Sequence, residues 1–331
     1  DETRIRTMVD KINKKNLPWI AEYNPLASLK EGPPAAPMNH SLLTAEILPI
    51  IHGMENNSKL HQAELFKASN HLIIPSHFDA RNKWPQCWSV HQIQNQGGCG
   101  SCWATAAAAS MSDRFCIASN YTQQSMLSLQ DVLTCCEFCG GCGGSYEEYP
   151  YIYFIIHGVV TGGFFGSNEG CKPYTIESSC GSPCPPFFHH ERFTPKCERK
   201  CQPLNGNDYE SEIRKARSVY TLKRFYETPP KQQVFDLVKR DLLLHGPLSY
   251  TINVDESFMH YRSGIYVDPK VSTDSRLRYG HVMKLIGWGE ENGVEYWIVA
   301  NSYGRHWGED GFGRISIDLN FKNSSFTGGM W

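Results

Sequence analysis

Cys102 stands in the run Gln96-Gly97-Gly98-Cys99-Gly100-Ser101-Cys102-Trp103-Ala104, just ahead of the alanine-rich stretch Ala104 to Ser110. High alanine content predicts a helix there, so a glycine-bounded turn delivers the cysteine to a helix N-terminus. Unpaired N–H groups and the positive end of the helix dipole at that point favour thiolate over thiol. The glycines permit a tight turn with backbone N–H groups free to face a developing oxyanion, and Gln96 can add a side-chain N–H donor. A thiolate nucleophile also needs a base that holds its proton as a cation and returns it to a leaving amine. His281 is the candidate, at the mouth of the glycine-bounded run Gly280-His281-Val282-Met283-Lys284-Leu285-Ile286-Gly287. Asn301, directly after the apolar run Tyr296 to Ala300, can accept from the imidazole N–H and fix its tautomer.

These groups need a scaffold, and the chain is long enough for one. Its 331 residues hold one large two-lobed domain, or two domains with an extra segment. A net charge of −2 gives no global attraction to nucleic acid or to an anionic membrane. No apolar run approaches the roughly 18 residues of a membrane span; the longest, Tyr149 to Val160, is broken by Pro150, His157 and Gly158. The chain opens Asp-Glu-Thr without a charged-then-apolar leader, so a signal peptide is expected to have been removed already.

All thirteen cysteines fall between Cys87 and Cys201, which suggests six disulfides, one free thiol and an oxidising compartment. The free one should be Cys102, because a bridged nucleophile cannot react. Sequons at Asn39, Asn56, Asn120 and Asn323 agree with passage through the secretory pathway. The Cys135, Cys136, Cys139 and Cys142 cluster has a rival reading as an iron–sulfur or zinc site. No second pair with metal-site spacing and histidine partners follows it, so neither metal nor cofactor is expected.

Residues 1 to about 73 contain no cysteine and balance eight acidic against eight basic residues. A short amphipathic helix is expected over Met8 to Ile20, with Val9, Ile12 and Leu17 or Trp19 on its apolar side. Residues 32 to 37 should be extended or form a turn, and a second helix should run from about Leu42 to Ile50. This segment is too poor in apolar residues for its own core and should lie on something else. Further on, helices are expected over Cys102 to about Ile117 and Lys231 to His245. A loop-rich, bridge-rich stretch fills Cys135 to Cys201. Strands are expected over Leu248 to Val254, His281 to Trp288, Glu295 to Ala300 and Gly313 to Ile317. Helices early and strands late indicate an α+β fold with a cleft between two lobes.

Cys99 to Trp103 matches the local signature of the papain and cathepsin nucleophile at all five places. From about residue 8 to its end the chain resembles papain-family cysteine proteases, and within them the cathepsin B group. The resemblance rests on Phe78-Asp79-Ala80-Arg81, Trp84-Pro85-Gln86-Cys87, Gln96 to Trp103, Ser112-Asp113-Arg114, Gly170 to Tyr174, Thr194 to Cys197, Gly280-His281 and Trp307 to Phe312. It implies a papain-like two-lobe fold: a mainly helical, disulfide-rich lobe over about 87–225 and a mainly β lobe over about 226–331. It implies a nucleophile at Cys102, a base at His281, an orienting amide at Asn301 and an oxyanion donor at Gln96. Gly144, Ser145, Gly280 and Trp307 would contact substrate, as would His189 and His190. Implied bridges are Cys87–Cys116, Cys99–Cys142, Cys135–Cys197, Cys136–Cys139, Cys171–Cys201 and Cys180–Cys184.

The same resemblance makes residues 1–74 an inhibitory propeptide lying backward through the cleft, with residues 75–331 as the peptidase domain and maturation near Ile73 or Ile74. Gly53 is expected where the propeptide backbone passes closest to Cys102. A monomeric, lysosomal or secreted protease zymogen follows, with protein and peptide substrates, its own propeptide as inhibitor, and cystatin-type inhibitors as further partners. Four departures shape the details. Cys180-Gly181-Ser182-Pro183-Cys184 is far smaller than the family's occluding loop and leaves His189-His190 outside, which favours endopeptidase over dipeptide-removing activity. Tyr303 replaces a tryptophan over the His–Asn pair, and Ser145 replaces a glycine. Asn323 to Trp331 lacks an acidic residue, so apolar side chains are expected at the second position before the cut. The rival is a papain-fold binding protein without catalysis.

Overall fold

A computed structural model describes residues 2–25, 47–68, 71–177, 194–224, 227–270 and 278–331. His189, His190, Cys180, Cys184 and Asn39 lie outside the described residues.

The N-terminal segment comprises α1 (Glu2–Asn13), β1 (Trp19–Ala21) and α2 (Ile47–Ala68). Ile5, Met8, Val9 and Ile12 form the buried stripe of α1 at helical spacing. The first helix thus begins before Met8 and stops at Asn13, earlier than its composition suggested. The Asn13 side chain ends it, donating to the Ala21 carbonyl and accepting from the Ala21 N–H, both at 2.9 Å. That contact folds the chain back, and Trp19, expected on the helix, lies in β1 instead. In α2 the residues Ile47, Met54, Ser58, His61 and Leu65 are buried. This helix runs well past the expected Ile50 because its second half packs on the sheet, where Ser58 Oγ accepts from the Thr221 N–H at 2.9 Å. A Cβ on Gly53 would meet no heavy atom within 4 Å, so the expected close backbone approach at Gly53 is not found.

The body begins with β2 (Phe78–Asp79) and α3 (Ala80–Lys83). Its helical part holds α4 (Cys102–Ala118), β3 (Met126–Leu127), α5 (Leu129–Cys135), α6 (Tyr149–Ile156), β4 (Thr161–Gly162) and α7 (Tyr209–Glu212). Then come β5 (Ser218–Lys223), α8 (Lys231–His245), β6 (Leu248–Asp255), β7 (Tyr261–Tyr266), β8 (Arg278–Glu291), β9 (Val294–Ala300), β10 (Phe312–Ser316) and β11 (Ser324–Met330). The main sheet runs β1-β7-β10-β9-β8-β6-β11-β5, with β2 added on β8. Beta1 extends the edge at β7, with Trp19 opposite Gly264, so the N-terminal segment is joined to the sheet by backbone pairing.

Two apolar cores flank the site. One is built on the sheet and α8, with Leu242, Leu285, Trp288 and Trp297 buried. The other surrounds α4, α5 and α6, with Trp103, Leu133, Tyr151 and Phe154. Small residues along α4, Ala106 to Ala108, allow it to pack closely against both cores. The bridges Cys87–Cys116, Cys99–Cys142, Cys135–Cys197, Cys136–Cys139 and Cys171–Cys201 staple the helical part. Cys135, Cys136, Cys139 and Cys142 are therefore all oxidised, which removes the thiolates that an iron–sulfur or zinc site would need. No described helix is long and apolar enough to cross a membrane.

Candidate active site

Cys102 is the first residue of α4 and, among the described cysteines, the free one. The turn before it is fixed from several directions. Gly97 has φ +60°, and a Cβ there would sit 2.3 Å from the Glu177 carbonyl oxygen. Gly100 donates its N–H to Cys142 O at 2.9 Å, and a Cβ on Gly100 would come within 2.5 Å of that oxygen. Glycine is required at both places for steric reasons. The Cys99–Cys142 bridge and the Trp103 indole, which donates to Gly141 O at 3.1 Å, hold the same two segments together.

The second half of the site comes from the sheet. His281 lies in β8 opposite Ile252 of β6, and Asn301 follows the last residue of β9. His281 Nε2 donates to Asn301 Oδ1 at 2.7 Å, and the Ser302 N–H donates to the same oxygen at 2.8 Å. An amide oxygen held by two donors fixes the proton on Nε2, which leaves Nδ1 as the basic nitrogen. Tyr303 stacks on the imidazole, with centroids 4.8 Å apart and an interplanar angle of 28°. Its hydroxyl meets Tyr279 OH at 3.0 Å. The smaller aromatic thus still covers the His281–Asn301 pair.

Gln96 joins the halves. Its backbone N–H donates to Ser302 O at 2.9 Å, its Oε1 accepts from Ser302 Oγ at 2.5 Å, and its Nε2 donates to Cys99 O at 2.8 Å. One Nε2 hydrogen is used in that last bond; the amide has a second. Gly144 and Ser145 are half-buried and follow Cys142, the partner of Gly100, while Gly280 is exposed with room for a Cβ. Trp307, expected to contact substrate, is buried at 1 % exposure, edge-on to Tyr303, with its indole donating to Phe258 O at 2.9 Å. Asn56 and Asn120 are exposed and Asn323 is half-buried.

The electrostatics oppose the simple helix-dipole expectation. The Cys102 thiol is raised above its ordinary pKa, chiefly by desolvation, although backbone N–H groups of Val282, Trp103 and Cys102 work against this. Burial pushes His281 down to about 4, with the Asn301 hydrogen bond opposing. Both shifts favour uncharged partners, so thiol and imidazole rest neutral while the N-terminal segment is docked. The dipole effect is about 0.3–1 kcal/mol, smaller than the desolvation of a buried charge. Removing the Asn301 acceptor releases the ring: Asn301→Ala should lower kcat roughly tenfold to a hundredfold, part of the 10²–10⁴ that general acid–base catalysis supplies. Its KM should change little, which steady-state kinetics on a peptide would check.

Among the described residues one group, His61, Asp241 and His245, brings three metal-ligating atoms within 4.8 Å of one another. His61 Nε2 and His245 Nδ1 both bond Asp241 Oδ1, at 2.8 and 2.9 Å, while Arg114 Nη2 donates to Oδ2 at 2.6 Å. Tyr220 OH donates to the same carboxylate, and its ring stacks on His61 with centroids 3.5 Å apart. The carboxylate is fully committed, and the fixed guanidinium charge opposes a second cation. This cluster bolts α2 to the body.

Residues 74–327 match the model of the papain family cysteine protease domain. The chain is 40 % identical over 275 residues to cathepsin B-like cysteine proteinase 6 of Caenorhabditis elegans, covering 78 % of this chain and 67 % of that protein. It is 36 % identical over 319 residues to cathepsin B-like cysteine proteinase 3 of the same organism, covering 95 % and 79 %. The procathepsin B S9 structure from Trypanosoma congolense superposes with a TM-score of 0.68 at 25 % identity, covering 98 % of this chain and 97 % of that one. With its N-terminal segment docked on a body of this kind, the chain is a zymogen, and it belongs to the papain family of cysteine proteases as a cathepsin B-like member.

Proposed function

We propose that the mature protein is an endopeptidase in which Cys102, His281, Asn301 and Gln96 do the chemistry. The observation that carries this reading is the 2.7 Å bond from His281 Nε2 to Asn301 Oδ1, beside a free thiol at the start of α4. In the active form the Cys102 proton resides on His281 Nδ1. The Cys102 thiolate attacks the peptide carbonyl, and the oxyanion is held by the Cys102 backbone N–H and the second Gln96 Nε2 hydrogen. His281 gives its Nδ1 proton to the departing amine as the C–N bond breaks. It then takes a proton from water, whose oxygen attacks the thioester, releasing the acid and the thiol.

Residues 1–74 act as the propeptide, cut near Ile73, which is 88 % exposed and open to a protease. Docking desolvates the catalytic pair and keeps it neutral; removal returns water and shifts both pKa values back toward a thiolate–imidazolium pair. The small Cys180–Cys184 interval supports endopeptidase over dipeptide-removing activity. The paired cysteines and the sequons support a lysosomal or secreted protein.

Alkylation of unreduced protein at about pH 5, with mapping of the labelled cysteine, tests the reading, because an ordinary thiol of pKa near 8.5 scarcely reacts there. Rapid labelling of Cys102 should appear only after loss of the N-terminal segment. Peptides with blocked and free C-termini should then be cut internally at similar rates. Absence of both labelling and cleavage after processing would leave a binding protein on a protease fold.

A further inference from the structure

The imidazole of His281 is enclosed by aromatic rings. Tyr303 stacks on it, with centroids 4.8 Å apart at 28°. Tyr279 and Phe258 each meet it edge-on, with centroids 6.1 Å away at 63° and 61°. Tyr279 and His281 are two residues apart in β8, so their side chains leave the same face of that strand. Tyr279 stands opposite Val254 of β6 and His281 opposite Ile252, which fixes both in one ladder. Tyr303 comes from elsewhere. It lies just beyond the end of β9 and next to Gly304, at φ +76°. After Gly304 the chain turns out into solvent at Arg305 and His306.

A phenol covers less of the His281–Asn301 pair than the tryptophan expected at this place, and packing alone grips it less. It differs in a second way: it carries its polar atom at the tip of the ring. Tyr303 is 2 % exposed, and a hydroxyl buried to that degree needs a partner. Tyr279 supplies it, its half-buried hydroxyl meeting Tyr303 OH at 3.0 Å. The pair of hydroxyls therefore ties the ring that covers the base to the strand that carries the base. Displacement of Tyr303 toward the exposed turn at Arg305 would break that bond and strand a buried O–H, which costs more than the bond itself contributes.

Resting on the protease reading above, we infer that Tyr279 is a positioning residue for the reaction: through its hydroxyl it holds the Tyr303 ring over His281, and so favours the imidazolium that gives its proton to the leaving amine. The face of an aromatic ring is negative, and a cation within about 6 Å of its centroid is attracted to it. Neutral imidazole gains less from the same contact. The titratable groups around the imidazole are Tyr279, Tyr303 and the Cys102 thiol, which also acts on Tyr303. Phe258 on the remaining side carries no charge. Asp255 of β6 and Tyr266 of β7 act on Tyr279. His281 itself is shifted by burial and by the Asn301 bond. Among the described residues, then, no charged side chain competes with the stacked ring for control of the imidazolium.

The test is a double-mutant cycle on the processed enzyme: Tyr279→Phe, Tyr303→Phe and the two together, each ring kept and only its oxygen removed. Steady-state kcat and KM for one peptide are followed from about pH 4 to about pH 9. Each single variant should lower kcat about three- to tenfold with KM little changed. The alkaline limb, where His281 loses its proton, should fall by about half a pH unit as the stacked ring loosens. The acid limb, where Cys102 loses its proton beside an imidazolium already formed, should stay in place. Because the two hydroxyls make one bond, the double variant should be no worse than either single one. Losses that multiply in the double variant would overturn the inference and leave the protease reading standing. So would an alkaline limb that keeps its native position, even where thermal stability falls. If Tyr279→Phe yields no processed enzyme, Tyr303→Phe alone decides by the same limb, since it leaves the half-buried Tyr279 hydroxyl within reach of water. No cleavage by the native enzyme at any pH would overturn both readings.

Discussion

Cys102→Ala should reduce kcat by about 10⁴- to 10⁶-fold, the loss seen when a hydrolase nucleophile is deleted and only binding and oxyanion stabilisation remain. The thiol has no structural duty that would confuse the result: among the described cysteines it is the unbridged one. The variant should therefore fold, keep the five described bridges, and, if processing is autocatalytic, retain residues 1–74 under conditions in which the native chain loses them. Mass spectrometry and peptide assays on the same samples read both effects. Residual cleavage above about one per cent of native would point to another nucleophile and remove Cys102 from the mechanism. Cys102→Ser should be nearly as inactive, because a hydroxyl beside a neutral imidazole is far harder to ionise than a thiol.

Asp241→Ala should produce the largest loss of stability, about 3–5 kcal/mol, because it leaves a buried guanidinium without its counter-charge. Arg114 is buried and bonds Asp241 at 2.6 Å, Pro247 O at 2.6 Å and Gly246 O at 3.0 Å. Asp241→Asn keeps the shape and should lose less. The pKa of Asp241 lies well below its ordinary value: Arg114 and hydrogen bonds from His245 and His61 outweigh desolvation. For a depressed carboxyl, the stabilisation is complete above the unfolded value near 3.9 and is lost as pH falls through the lower folded value. Denaturant midpoints should thus show a difference between native chain and Asp241→Ala that stays level from pH 7 to about 4. A difference below about 1 kcal/mol, or one that fades by pH 6, would show that the network is not what anchors this region.

The residues proposed to react could be picked out because their signals are local. A glycine turn before an alanine run places Cys102, and a glycine-bounded apolar strand places His281. Helix α8 forms over Lys231–His245 as its composition indicates. What escaped depends on distant partners. Trp19 reads as helical until the edge of β7, some 245 residues later, offers it a strand partner. Helix α2 reaches Ala68 because β5 and Asp241 receive its buried face. The raised pKa of Cys102 follows from its burial in the folded chain, which no property of the Gln96–Ala104 run encodes.

The N-terminal segment holds the body at separate points: Arg4 on Glu256 at 2.7 Å, β1 on the edge of β7, and His61 on Asp241. Linked anchors of modest individual strength give avidity, since each bound anchor keeps the next at a millimolar effective concentration. One cut between residues 25 and 47 would separate the α1–β1 anchors from α2 and destroy that advantage. A cut near Ile73 keeps the fragment multivalent but makes its grip bimolecular. Release of the cut segment then becomes a matter of dilution: at high concentration the body keeps its own fragment bound, and on dilution it loses it.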